Sequence, residues 1–271
     1  MPELPEVEIT RRGLGPSLVG RSIESAIVRH AGLRWGIAPD LAQRLIGQTI
    51  EAVRRRGKYL ILDCRNGALI IHLGMSGSLR VLTYHVAPGP HDHFDLALEG
   101  GVIVRLRDPR RFGCVLWTDA DPLRHPLLAR LGPEPLSPEF SAQWLHRQTR
   151  NRSAAIKVAL MDSQLVAGLG NIYANEALFR ARIHPETAAH RLGLSRCSRL
   201  IEAIRETLAL ALRTGGSSLR DFVDSSGNPG YFQDQRLVYD RAGEACSRCG
   251  AEIRMLRHGS RATYFCSRCQ R

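Results

Sequence analysis

From about residue 21 to 117, apolar and polar positions alternate in short runs: SIESAIVR, TIEAVRRRGKYLILDC, GALIIHLGMSGSLRVL, HFDLALEGGVIVRLRD and GCVLWTD, broken by glycine pairs and by APGPHDH. A two-residue repeat over runs this short turns one face of each strand to a core, and the pattern predicts antiparallel sheets in a β-sandwich. Helical spacing precedes it over residues 5 to 19, where Pro5 suits the first helical position and Glu6 and Glu8 suit the positive end of the helix dipole. Ala38 to Gly47 reads as a second, short helix. At Leu131 to Phe140 three prolines mark a linker, and the period then changes. SAQWLHRQ, SAAIKVALMDS, NIYANEALFRARI and SRCSRLIEAIRETLALALRT all repeat at helical spacing and end in the glycine- and serine-rich stretch Gly215 to Gln233.

The last residues carry a different signal. In CSRCGAEIRMLRHGSRATYFCSRC, Cys246 and Cys249 are separated by two residues, Cys266 and Cys269 likewise, and 16 residues lie between the pairs. Each Cys-x2-Cys unit suits a tight turn aiming two thiolates at one ion, and two units complete a tetrahedral zinc site. Between them Arg254 to Arg257 and Arg261 to Phe265 read as two strands around His258, Gly259 and Ser260, a zinc-ribbon hairpin with little apolar surface of its own. The predicted class is therefore a multidomain α+β chain: a β-sandwich with flanking helices at 1–130, a helical domain at 131–235 containing the loop 215–233, and a zinc ribbon at 236–271. Cys64, Cys114 and Cys197 lie apart in apolar or helical contexts and read as packing residues.

Charge narrows the partner. Lys plus Arg is 38 against 26 for Asp plus Glu, a formal net charge of +12, and all but Lys58 and Lys157 of the basic residues are arginine. Such a balance fits a polyanion, whose phosphates release counterions when neutralised. No apolar run reaches the ~18 residues of a membrane span, and the first residues lack the basic-then-apolar block of a secretory leader. Both point to a cytoplasmic protein, in which four paired cysteines bind zinc rather than form disulfides.

Several loops can carry chemistry. Gly168 and Gly170 form a turn ahead of a helix beginning near Asn171, a credible phosphate clamp with Asn171 as cap, although a glycine C-cap followed by a capped helix needs no ligand. HLGMSGSLR and LRDPRRFG display Met75, Arg110, Arg111 and Phe112, residues suited to wedging a base stack while guanidinium groups hold backbone or base edge. His91, Asp92 and His93 read as a strand-start hydrogen-bond cluster before a metal trio. The opening MPELPEVEI leaves Pro2 and Glu3 unexplained by helix punctuation. A terminal proline is a secondary amine whose iminium has no N–H to lose, and a generic α-amino pKa of about 8 leaves roughly one molecule in ten neutral at pH 7.

PELPEVE, RGKYL, HLGMSG, RDPRRFG, AGLGNIYANE and the terminal Cys-x2-Cys pairs, in that order, resemble the formamidopyrimidine-DNA glycosylases, bifunctional base-excision enzymes also called 8-oxoguanine DNA glycosylases. The resemblance implies a β-sandwich, a helix-two-turns-helix domain and a zinc finger with one structural Zn2+, acting as a monomer on damaged double-stranded DNA. It implies Pro2, freed by removal of Met1, as nucleophile at C1′, Glu3 as the acid for sugar-ring opening, and Glu6 as a carboxylate positioning the terminus. Lys58, His72, Asn171, Tyr239 and Arg261 match backbone contacts, Lys58 and Arg261 also serving strand cutting by β,δ-elimination. Met75, Arg110 and Phe112 match the trio that fills the hole left by the flipped base, and His91, Arg152 and Lys157 match further DNA contacts. The stretch 215–233 matches a mobile loop over the everted base, with Arg220 where many relatives carry Lys. The alternatives are an endonuclease VIII-like enzyme for oxidised pyrimidines, which shares the amine, the helical turn and the ribbon, and a non-catalytic zinc-ribbon DNA-binding protein.

Overall fold

The computed structural model describes residues 1–84, 86–218 and 223–271, so Arg220 lies outside the described residues. The chain divides into two compact units, Met1–Ala129 with Thr214–Gln233, and Arg130–Arg213 with Asp234–Arg271. The stretch 214–233, joined to the helical domain by its place in the sequence, thus groups by contacts with the sandwich.

The first unit opens with α1 (Leu4–Leu18) and continues through β1 (Ile23–Val28), α2 (Leu41–Leu45), β2 (Ile50–Arg56), β3 (Tyr59–Cys64), β4 (Gly67–His72), β5 (Ser78–Leu82), β6 (Asp92–Leu98), β7 (Val102–Arg107), β8 (Cys114–Thr118) and α3 (Pro126–Ala129). Two antiparallel four-stranded sheets form, in the orders β1-β6-β7-β5 and β2-β3-β4-β8. Leu60, Leu62, Leu69 and Ile71 of one sheet share a core with Phe94, Leu96, Val104 and Leu106 of the other, closed by Val7, Leu14 and Leu18 of α1. Ile61 and Ile70, on the opposite face of their sheet, are buried too, which is why YLILDC and GALIIH read as nearly continuous apolar runs.

Helix α1 begins one residue earlier than its pattern predicts. Glu3 is the N-cap, Leu4 the first helical residue and Pro5 the second, where the backbone N–H that proline lacks would also have had no intrahelical partner. Glu8 anchors the helix to β2. Its carboxylate accepts bonds from Arg11 (2.9 Å), Arg12 (2.9 Å) and Arg55 (3.1 Å). The segment 214–233 is stitched down by Tyr231 N–H to Thr214 O (2.9 Å), Phe232 N–H to Gly216 O (2.8 Å) and Val81 N–H to Ser225 O (2.9 Å).

The second unit holds α4 (Ala142–Thr149), α5 (Ile156–Leu160), α6 (Asn171–Arg180) and α7 (Leu194–Arg213), followed by the antiparallel hairpin of β9 (Arg254–His258) and β10 (Arg261–Phe265). The helix α6 packs on α7 and on β10. It also pins the ribbon through polar groups: the buried Glu176 carboxylate accepts the backbone N–H of Leu237, Val238 and Tyr239 at 2.8–2.9 Å, and Asn175 Oδ1 accepts Tyr264 N–H at 2.7 Å. Among the described residues, no helix is long and apolar enough to cross a membrane.

Burial opposes ionisation of Glu8, but hydrogen bonds from Arg11, Arg12 and Arg55 outweigh it and lower its pKa from 4.5 to about 2. A carboxylate depressed on folding contributes stability that is complete above its unfolded pKa and is lost as pH falls toward its folded one; here that is roughly 3 kcal/mol, given up between about pH 5 and 2. Thermal melts of Glu8→Gln should lie below wild type at pH 7 and converge with it by about pH 2.

Candidate active site and zinc centre

In the first unit the residues of the opening motif are held by one buried carboxylate. Pro2, Glu3 and Glu6 are all buried, and Glu3 and Glu6 form a capping box in which the Glu6 carboxylate accepts the Glu3 backbone N–H at 2.8 Å. The other Glu6 oxygen accepts Ser217 N–H at 2.8 Å. Gly216, at φ +78°, brings its backbone so close to Glu6 that a Cβ there would lie 3.0 Å from Glu6 Oε1. The start of α1 and the 214–233 segment are therefore registered to each other through the Glu6 side chain.

Lys58 sits at the tip of the β2–β3 hairpin. Arg56 pairs with Tyr59, leaving Gly57 (φ +57°) and Lys58 as a two-residue turn between β2 and β3, with Lys58 partly buried. Its charge reaches His72 at the end of β4: burial, then Lys58 and Arg34, lower the His72 pKa from 6.5 to about 4. His72 Nδ1 accepts Gly74 N–H at 2.9 Å, so the neutral ring carries its proton on Nε2 as a donor for an anion.

The loops HLGMSG and RDPRRFG lie against each other because His72 and Cys114 are cross-strand partners in β4 and β8. Asp108 binds them together: Oδ1 accepts from the Ser76 hydroxyl (3.0 Å), Oδ2 from Gly113 N–H (2.7 Å), and Arg110 N–H reaches Ser76 Oγ at 3.3 Å. Two glycines permit the contact and a third permits the turn of the first loop on itself. A Cβ on Gly74 (φ +62°) would lie 2.4 Å from Phe112 C and one on Gly113 2.7 Å from His72 O, while one on Gly77 would lie 2.2 Å from Leu73 O of its own loop. Met75, half-buried, and Arg110 and Phe112, both exposed, are thereby presented from adjacent loops, with the Arg110 guanidinium 5.1 Å above the Phe112 ring. His91 lies beside this pair of loops at the start of β6. His93 Nε2 pairs with Asp108 O (2.9 Å) and Asp92 accepts Gly89 N–H (2.7 Å), the strand-start cluster expected of this segment.

In the second unit, Gly170 and not Asn171 is the N-cap of α6. Asn171 is the first helical residue, and its side chain is used elsewhere, donating to Ala262 O of the ribbon at 3.0 Å beside Arg261. Lys157 is fully buried in α5, and its charge is felt at His258 in the hairpin. Tyr239 packs edge-on to Tyr264 with ring centroids 5.2 Å apart, and Arg152 pairs with Asp162 at 2.6 Å. The Sγ atoms of Cys246, Cys249, Cys266 and Cys269 lie within 4.8 Å of one another, with Cys246–Cys269 at 3.9 Å and Cys249–Cys266 at 3.5 Å. Four thiolates about 2.3 Å from a zinc ion stand about 3.8 Å apart, so this donor set fits one Zn2+ in tetrahedral coordination. Among the described residues it is the one cluster able to hold a metal.

The family described as "Formamidopyrimidine-DNA glycosylase N-terminal domain" matches residues 1–115, its H2TH domain matches 131–223, and the zinc finger found in FPG and IleRS matches 243–271. The formamidopyrimidine-DNA glycosylase of Methylococcus capsulatus is 56% identical over 271 residues, covering all of both chains. The chain belongs to the formamidopyrimidine-DNA glycosylase family. Among solved structures, a Lactococcus lactis Fpg variant in complex with Fapy-dG-containing DNA is 38% identical with a TM-score of 0.92, and MutM in complex with carbocyclic 8-oxo-G-containing DNA is 38% identical with a TM-score of 0.91; each match covers all of both chains. Membership of this family decides against the endonuclease VIII-like and non-catalytic alternatives.

Within this family frame, the structure brings Pro2, Glu3 and Glu6 together, places Lys58 beside His72, and sets Met75 by Arg110 and Phe112; Asn171 and Arg261 meet at the ribbon hairpin. Asp108, Asn175 and Glu176 are positioning residues that the sequence pattern did not single out. A buried acid inside NIYANE was the available signal for Glu176. The thiols of Cys64, Cys114 and Cys197 are pushed by burial to about 12, 12 and 11, as befits packing residues.

Two measurements check this geometry. In an NMR titration His72 should stay neutral through pH 5 and take up its proton only near pH 4; because an unfolded histidine titrates near 6.5, the folded state loses stability as pH falls from 6.5 toward 4. Gly74→Ala forces both a positive φ and a backbone clash, so it should separate the two loops and reduce base excision on the order of 100-fold, while one zinc per chain is retained.

Proposed function

We propose that this protein is a bifunctional DNA glycosylase and lyase that excises oxidised purines, 8-oxoguanine and formamidopyrimidines, from duplex DNA through a Schiff base on Pro2. The observation that carries the reading is the buried, doubly tethered start of α1, where Glu6 fixes the Glu3 backbone beside Pro2 and ties it to Ser217. Chain ends are ordinarily poorly ordered, and one held on both sides in this way is suited to presenting its own atoms for reaction. The net charge of +12 supplies the affinity for the phosphate backbone.

The target purine leaves the stack before reaction, since C1′ is inaccessible inside a duplex. The neutral Pro2 amine attacks C1′, forming a C–N bond as the glycosidic C–N bond breaks and the base departs with its electron pair. Glu3 delivers a proton to the ring oxygen as the sugar opens to the iminium. Loss of a C2′ proton then expels the 3′ phosphate by cleavage of the C3′–O bond, and a second elimination expels the 5′ phosphate, leaving a one-nucleoside gap. Lys58 and Arg261 neutralise phosphates during these eliminations, and His72, His91, Arg152, Asn171 and Tyr239 hold the backbone; Lys157, expected among these contacts, is fully buried in α5 and supports the site from within. His72 acts as a neutral donor, not a cation. Met75 and Phe112 fill the vacated stack, and Arg110 reads the orphaned cytosine with its paired N–H donors. The stretch 215–233 is assigned to the everted base, its residues 219–222 lying outside the described residues. Cys246, Cys249, Cys266 and Cys269 would hold a zinc ion that supplies folding energy to the ribbon and takes no part in the reaction. The enzyme acts as a monomer in the cytoplasm, and its nucleophile exists only once Met1 has been removed.

Borohydride should trap the protein on 8-oxoguanine opposite cytosine, with the crosslink mapping to Pro2 and an intact mass lacking Met1. Glu3→Gln should slow base excision by at least about 100-fold yet still be trapped on abasic DNA, whose sugar already opens to the aldehyde. A crosslink through Lys58 or Lys157 with Pro2 free, or a preference for thymine glycol, would overturn the assignment.

A further inference from the structure

The end of the ribbon that holds the four cysteines carries a feature unrelated to base excision. Both knuckles read Cys-Ser-Arg-Cys, so Arg248 and Arg268 occupy the same position in each. They line a cavity of about 510 Å³ together with Arg182, Arg271, Cys249 and Cys269. All four arginines are exposed, and no Asp or Glu side chain lines the cavity. Among the described residues, none of the four guanidinium groups lies within ion-pair distance of an acid, whereas Arg29, Arg54, Arg105 and Arg152 all have one.

The backbone is shaped to gather them. Arg182 follows α6 at φ +55°, a conformation uncommon outside glycine, and its carbonyl accepts Arg271 N–H at 3.4 Å. The Arg271 main-chain oxygen is taken up by Arg196 (2.6 Å), leaving its side chain to the cavity. Arg248 is held over the Phe179 ring at 4.6 Å and donates to Phe179 O at 3.2 Å. A zinc ion on four thiolates carries a formal charge of about −2, which offsets only about half of four guanidinium charges. The remainder is a fixed excess of positive charge in a concave site, and guanidinium forks match phosphate oxygens in pairs.

We propose that this cavity is a binding site for a multivalent phosphate, separate from the residues assigned to the lesion. Its probe is inorganic tripolyphosphate, titrated calorimetrically at 0.15 M salt into the zinc-loaded protein. One saturable site per chain is expected. Arg182→Gln/Arg268→Gln should weaken it at least tenfold with zinc content unchanged, while the charge-matched control Arg124→Gln/Arg130→Gln, on exposed arginines elsewhere, should weaken it less than twofold. Arg182→Gln alone, outside the knuckles, tests the site even where the double variant loses zinc, and should weaken binding several-fold. Absence of saturable binding, an equal loss in the control, or an unaltered Arg182→Gln would overturn the proposal. The source of the phosphate is read on a long undamaged duplex. A salt dependence shallower by about two ionic contacts in the double variant assigns the site to a nucleic-acid backbone, and an unchanged slope assigns it to a free polyphosphate.

Discussion

A chain end can serve as a chemical group only if it is taken out of the conformational freedom that chain ends ordinarily keep. In this protein the Glu6 carboxylate does so. Its two oxygens are divided between the Glu3 backbone N–H and the Ser217 N–H, each at 2.8 Å, inside a site where Glu6 is only 1% exposed. A buried carboxylate with both oxygens committed resists rearrangement, because releasing either donor leaves an unpaired charge or N–H in a low-dielectric site. The proposed nucleophile and the segment that would close over its substrate are thus fixed by the same group, and neither can shift without straining the other.

The same economy of means recurs around it. Asp108 and Glu176 are acids that join separate segments: the first accepts the Ser76 hydroxyl and the nearby Gly113 N–H and so clasps the two loops that carry the proposed wedge residues, and the second accepts backbone N–H groups distant in sequence and clasps the stretch that carries Tyr239. Asn175 adds the link from α6 to the ribbon. Each turns an irregular segment, with few ladder bonds of its own, into a rigid display for side chains that face solvent. Rigidity without local secondary structure requires buried acceptors, and these residues are placed where the backbone donors converge.

How far this was legible in the sequence depends on how far apart the partners are. The zinc site was readable because its ligand spacing is local and its chemistry leaves few choices. The sandwich was readable because strand period is local too, although TIEAVRRRGKYLILDC, read as one run, folds back at Gly57 and Lys58 into the two strands β2 and β3. That HLGMSG and RDPRRFG touch was not readable from either motif; it follows from the pairing of β4 with β8, whose residues His72 and Cys114 are distant in the chain. Asn171 was misassigned as a cap for a related reason. Its side chain answers to Ala262, in another element, and Gly170 caps the helix instead. Pro5 falls one position later than expected because the capping residue is Glu3, whose suitability as a cap rests on a carboxylate three residues on.

The charge of the chain also divides once partners are known. Arg11, Arg12 and Arg55 are spent on Glu8, and Arg29 and Arg105 on Asp95; these guanidinium groups hold α1 and the sheet together and have little left for a polyanion. Arg110 is spared: it lies exposed over Phe112, between an aromatic face and solvent. Arg182 and Arg268, in the second unit, are spared beside sulfur ligands. Net charge alone treats all of these as equivalent. The structure separates a positive charge that builds the fold from one that waits for a phosphate, and that separation, more than the total of +12, governs where a polyanion can be held on each unit.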